Sequence, residues 1–278
     1  MSRKPSARAL FALCTLALAL TTVPGRASGM YDATIRRTQH GIPHILGNDW
    51  GDLGFGVGYA FAEDNLCVMA DTFVTVNAQR SKFFGPTATY RSEANGVVPT
   101  NLKSDFYYQW INESGVIEGL VDGSWPHAKP LSDTVVDVSE GWVAGWNAAL
   151  QGMRENGTTH SCINEPWVRE LTPRDLYRRY YQLIMFASKG ALLNYIVGAQ
   201  PPMPGVTPIP QASTRDVDKL PSAENLAIGS NAYALGETAT DNGRGMLLGN
   251  PHFPWRGPER FYEFHLTMPG KVNVMGGA

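Results

Sequence analysis

The chain has 278 residues, with 23 Lys and Arg against 25 Asp and Glu, and a formal net charge of −2. No basic run follows the first few residues, which excludes nucleic acid as a partner, since that requires a positive footprint. With a leader and a linker set aside, roughly 200 residues remain for packing, enough for one domain.

The leader comes first. Arg3, Lys4 and Arg8 form a basic start, Ala9 to Val23 is apolar, and Pro24 to Gly29 supplies small residues for cleavage after Ala27 or Gly29. This is the pattern of a secretory signal peptide over residues 1–29, and it is shorter than the ~20 apolar residues of a membrane span. The expectation is a secreted protein, extracellular or periplasmic, with no membrane association once the leader is removed. Cys14 leaves with it. Cys67 and Cys162 then remain, and in an oxidising compartment they could bridge or stay as buried thiols.

Ala33 to Leu46 reads as a short two-stranded element turning at Gly41-Ile42-Pro43. Asp49 can cap a helix running toward Gln79, although Gly54, Gly56 and Gly58 weaken its first turns. Glycines at every second position there predict close packing against another backbone. His40 and His44 have the spacing of a helical zinc pair, but Gly41 and Pro43 between them argue against a helix, and no metal site is predicted. Glu63 and Asp64 follow an aromatic helix face and read as structural. Residues 85–127 mix aromatics, Gly, Pro and Asn without a period, which predicts irregular chain with short helices.

Two later helices are clearer. Val135, Val138, Trp142, Trp146, Ala149 and Met153 recur at spacings of three and four after Ser132, and Asn156-Gly157 ends the run. The two tryptophans read as helix core. Thr172-Pro173-Arg174-Asp175 is a helix start, and Leu176, Tyr180, Leu183, Ile184 and Ala187 then form an apolar face. From Gln200 the prolines are so dense that neither helix nor sheet is expected, which suits an exposed connector over residues 200–229. Strand-like texture follows: Ala232 to Leu235, a turn at Asp241-Asn242-Gly243, and Met246 to Leu248. His265 alternates with Glu263 and Phe261 on one strand face, where a satisfied or exposed histidine is the default.

The connector ends at Gly229-Ser230, where a buried strand is expected to begin. Cutting that peptide bond would give Ser230 a free α-amine, whose pKa of roughly 7.7–8.0 leaves it able to accept the hydroxyl proton near neutrality. One residue would supply nucleophile and general base. Gly229, without a Cβ, tolerates the strained backbone such a cut needs. An ordinary Gly-Ser turn is the plain alternative. His252, twenty-two positions on in G-N-P-H-F-P-W, could be brought back beside the first strand residue.

The segments S-N-A-Y-A-L-G, G-M-L-L-G-N-P-H-F-P-W and R-F-Y-E-F-H-L-T-M-P-G resemble the start of the β-subunit in the penicillin-acylase family of N-terminal-nucleophile hydrolases. R-R-T-Q-H-G-I-P-H-I-L-G and D-L-G-F-G-V-G-Y-A-F-A-E-D-N-L resemble the opening of its α-subunit. The likeness runs from about Tyr31 onward, more weakly between Pro86 and Thr172, and is greatest to the branch of acyl-homoserine-lactone and aculeacin A acylases. It implies an α+β fold of four layers, αββα, incomplete here: a mostly helical α-subunit over 30–199, then the first β-subunit strands over 230–278.

The resemblance also implies a precursor cut at Gly229-Ser230 into partner α- and β-subunits, with a small-molecule N-acyl amide as substrate. It makes Ser230 the nucleophile, His252 a supporting residue and Phe253 part of the acyl pocket; the bland alternatives are a structural histidine and a core phenylalanine. No organic cofactor is implied. Some penicillin acylases bind calcium, but no ligand cluster is identifiable. The family's oxyanion-hole valine and asparagine have no counterpart among these residues, so the chain reads as the N-terminal part of a precursor, itself inactive. A non-catalytic secreted binding protein on the same scaffold is the competing function, and a zinc hydrolase through His40 and His44 a third.

Overall fold

The computed structural model describes residues 30–200 and 229–277, apart from Glu93, Thr159 and Ala187. The leader and the connector residues 201–228 lie outside it. Strands β1 (Thr34–Arg37) and β2 (Pro43–Leu46) pair antiparallel, as the turn at Gly41 predicts, and Gly41 takes the positive φ of 83° that the turn needs. Helices α1 (Trp50–Val76), α2 (Arg80–Phe84), α3 (Asn101–Glu113), α4 (Val116–Asp122), α5 (Asp133–Glu155), α6 (Pro173–Met185) and α7 (Leu193–Gly198) follow. The last four strands are β3 (Gly229–Leu235), β4 (Met246–His252), β5 (Glu263–Met268) and β6 (Val272–Gly277). The fold is α+β, with helices before the connector and strands after it.

The core lies between α1 and α5. Asp49 caps α1 by accepting a hydrogen bond from the Asp52 amide at 2.8 Å. The glycines of both helices then meet backbone on backbone. A Cβ on Gly58 would stand 1.9 Å from the Trp142 carbonyl oxygen, and one on Gly145 would stand 2.0 Å from that of Phe55. Trp142 and Trp146 stack at 5.6 Å inside this core, and Trp146 is fully buried. Cys67 on α1 and Cys162 beyond α5 are joined as a disulfide.

The helical layer covers one face of a four-stranded sheet ordered β1-β2-β5-β6, in which Ile45, Leu53 and Met268 form a second small core. Here β2 and β5 run parallel, with His44 beside His265. Strands β3 and β4 make a separate antiparallel hairpin, and its connection carries the predicted turn, with Gly243 at φ 63°. Among the described residues no helix is long and apolar enough to cross a membrane.

Three expectations need correction. Residues 85–127 hold a 13-residue helix, α3, hidden because its apolar residues surround it: Tyr107, Tyr108 and Ile111 are buried while Leu102, Phe106 and Trp110 are exposed. On α6 the inward face carries Asp175, Leu176, Arg179 and Gln182, and Leu183 and Ile184 point outward. Hydrogen bonds and an ion pair make that polar face buriable. The strand at Ser230 is not buried, since every residue of β3 and β4 is exposed and no other described element covers the hairpin.

Candidate active site

The Gly229-Ser230 junction forms the first rung of β3, at the open end of the hairpin. Ser230 Oγ donates to the Gly229 carbonyl oxygen at 2.6 Å, so the hydroxyl already touches the peptide group whose cleavage would free it. In the ladder Gly229 faces His252 and Ser230 faces Pro251. Directly opposed residues share a face and neighbours alternate. His252 and Ser230 therefore project to opposite faces of the uncut hairpin.

His252 shares its face with Asn250, which lies 3.0 Å away, Nδ2 to Nε2. Asn231 stands across from Asn250 on that same face. Asn250 escaped the sequence reading. The signal was present, because the alternation in N-P-H puts asparagine and histidine on one side of a strand.

Phe253 follows directly and stacks on Phe261 at 4.6 Å between ring centroids. The two rings line one wall of an open cavity of about 420 Å³, whose apolar lining includes Phe61, Met69, Trp142 and Leu176. Arg179 and Glu259 stand at its base as a buried ion pair, Nη1 to Oε1 3.4 Å. Burial pulls the Arg179 guanidinium below its usual range, and the Glu259 charge opposes that. Arg179 also donates to Gln182 Oε1 at 2.6 Å and to the Pro258 carbonyl at 3.1 Å, and Gln182 donates to the Tyr108 hydroxyl at 2.9 Å. Neither Arg179 nor Glu259 stood out in the sequence, because a buried pair 80 residues apart has no local signature.

The acidic residues of α1 have other partners. Arg37 bridges Glu63 at 2.8 Å and Asp64 at 2.7 Å, while Asp64 also contacts the Tyr262 hydroxyl. Burial and then the Asp64 carboxylate push the Tyr262 hydroxyl well above the usual phenol range. Both carboxylates are thus engaged by the one guanidinium of Arg37. His40 and His44 do not converge: His40 contacts Gln39, and His44 meets His265 at 2.9 Å between Nδ1 atoms. His265 Nε2 lies 2.7 Å from Asn273 Oδ1, so this histidine is satisfied. Among the described residues no group of three or more His, Cys, Asp or Glu comes together as a metal site would require.

Comparison with known proteins gives the family of the chain. The penicillin amidase family model matches residues 32–278, and the chain belongs to that family. Aculeacin-A acylase of Actinoplanes utahensis is 41% identical over 271 residues, 94% of this chain and 33% of that protein. The acyl-homoserine lactone acylase PvdQ of Pseudomonas syringae pv. syringae (strain B728a) is 41% identical over 250 residues, 88% of this chain and 30% of that protein. The chain thus spans about a third of the length of these relatives. A thermostable penicillin G acylase from Alcaligenes faecalis aligns with a TM-score of 0.43 at 17% identity, covering 64% of this chain and 98% of that one.

Proposed function

We propose that this chain belongs to a secreted acylase that cuts itself between Gly229 and Ser230 and then hydrolyses the amide between an apolar acyl chain and a polar amine. The observation that carries the reading is the contact of Ser230 Oγ with the Gly229 carbonyl at the open end of an exposed hairpin. In the first step Oγ attacks the Gly229 carbonyl carbon. The C–N bond breaks, the nitrogen keeps its own proton and takes up the one that Oγ loses to leave as a new α-amine, and water hydrolyses the resulting ester to the Gly229 carboxylate and the free Ser230 hydroxyl. In the second, the α-amine takes the hydroxyl proton as Oγ attacks a substrate amide; the proton passes to the departing amine, and water releases the acid.

Names of relatives support the substrate class, since two act on an acylated lactone and on aculeacin A. The cavity beside Phe253 supports it too, having an apolar wall and a volume in the range of small-molecule sites. His252, across from Gly229, is the supporting residue next to the bond to be cut. The leader-like residues 1–29 and a disulfide between Cys67 and Cys162 favour an oxidising, secreted location. After the cut the two pieces would stay together as an αβ pair, because β2 on one side and β5 on the other share a sheet.

Mass spectrometry of the full-length protein tests this. It should find a subunit beginning at Ser230, and Ser230→Ala should abolish both its formation and amide hydrolysis. An active enzyme with an intact Gly229-Ser230 bond would refute the mechanism.

A further inference from the structure

Among the described residues, what holds the Ser230 end of the hairpin to the helical body lies in the chain that follows it, since no described element packs on β3 or β4. On its upstream side the chain enters from residues outside the described set. Downstream, residues 253–262 tie the hairpin to the helical body, and they leave it at His252, the end that carries the scissile bond.

That tie is pinned at successive positions. Phe253 stacks on Phe261. Glu259 pairs with buried Arg179 of α6. Arg260 donates to Asn65 Oδ1, and the Tyr262 hydroxyl lies 3.2 Å from the Ala60 carbonyl as well as against Asp64. Asn65 is also where α1 leaves helical geometry, at φ −132° and ψ 21°. The kink follows the Ala60 carbonyl, which accepts from the Tyr262 hydroxyl, and an outside side chain bonded to a helix's carbonyl ladder is one of the few causes of sharp helix bends. Glu63, Asp64 and Asn65 are thereby all engaged, two with Arg37 of β1 and two with the segment after the hairpin.

We propose that the kinked Glu63-Asp64-Asn65 segment of α1 is the seat that positions the Ser230–His252 end of the hairpin. Asn65, Arg260 and Tyr262 act as positioning residues for self-cleavage and for the acylase step. They touch neither the scissile bond nor the substrate. They act by fixing the ten residues that connect His252 to β5. The inference rests on the self-cleavage reading, and the two fail in different ways.

The experiment follows self-cleavage of the full-length precursor over time. Asn65→Ala and Arg260→Ala should each slow the appearance of the Ser230 N-terminus roughly ten- to hundredfold, the range for a lost hydrogen bond to a charged group. The double variant should be little slower than either single one, since both remove the same contact. Asn65→Asp keeps an acceptor for Arg260 and should restore most of the rate; a residue needed only for stability would not be rescued in this way without recovery of the melting temperature. In already cut enzyme, Tyr262→Phe should lower kcat with KM little changed. Wild-type processing in both alanine variants, or slow processing in Asn65→Asp with a wild-type melting temperature, overturns the proposal. Cleavage at the junction in Ser230→Ala would overturn the self-cleavage reading instead.

Discussion

His252 stands directly across the β3–β4 ladder from Gly229, and its side chain lies on the face opposite that of Ser230. The imidazole is therefore placed beside the carbonyl side of the junction and is held by Asn250, while the Ser230 hydroxyl makes its contact with Gly229 unaided. His252→Ala should slow self-cleavage by about two- to tenfold without abolishing it, the effect of one neutral hydrogen bond. Timed mass spectrometry of the precursor measures this. In already cut enzyme, a His252→Ala protein as inert as Ser230→Ala toward the amide substrate, with its fold intact, would make the imidazole the true base.

The contact between α1 and α5 admits no methyl group. Gly58→Ala or Gly145→Ala would drive a Cβ into a backbone carbonyl, which neither helix can move without separating the pair. The expected cost is about 3 kcal/mol, and the expected fall in melting temperature about 6–12 °C. Gly198→Ala, which meets nothing within 4 Å, should change the melting temperature little.

The disulfide closes a loop of 95 residues between α1 and the segment after α5. Replacing Cys67 and Cys162 by serine should lower stability by about 2–4 kcal/mol. Denaturant unfolding with and without a thiol reductant checks it: the reductant should destabilise the native protein and leave the double variant unchanged.

Asp175 links stability to pH. Burial alone would raise its pKa, but the hydrogen bonds and charge of Arg169, with the Thr172 amide and hydroxyl, hold the carboxyl below the usual range. The unfolded chain therefore takes up a proton first, near pH 3.9, and the stabilisation fades as pH falls from there through the lower native value. Asp175→Asn should flatten the acid limb of the stability curve and destabilise the protein above pH 5 by about 1–3 kcal/mol. Equal pH dependence in both proteins would contradict the assignment.

Features fixed by neighbouring residues were legible in the sequence. The Asp49 cap, the Thr172–Asp175 capping box and the Gly243 turn each act within a few residues, and each appears as expected; the alternating glycines of α1 signalled a close backbone contact, though not that α5 supplies it. What escaped depends on partners far along the chain. Arg179 and Gln182 become interior residues only because Glu259 and Tyr108 meet them, so a reading of α6 by hydropathy placed Leu176 and Tyr180 inward correctly but carried the face on to Leu183 and Ile184, which point outward. His40 and His44 were correctly read as not converging, but that His44 would meet His265 was not legible, because it follows from parallel register rather than spacing. The hairpin that begins at Gly229-Ser230 was legible from the turn, whereas the contacts of Asn65, Asn250 and Arg260 needed the folded structure.

The parallel pairing of β2 with β5 also sets an order of assembly. Ile45 must wait for Leu266, more than two hundred residues later, before its strand gains that neighbour. The helices, whose contacts are nearer in sequence, can collapse while the ribosome is still delivering the remainder. The β2 edge that β5 covers stays open until β5 has been made. Contacts this distant are slow to form and leave unpaired strand edges exposed in the interim. Yield on expression should therefore fall the longer that edge waits, so that translation speed and temperature both affect recovery of folded protein.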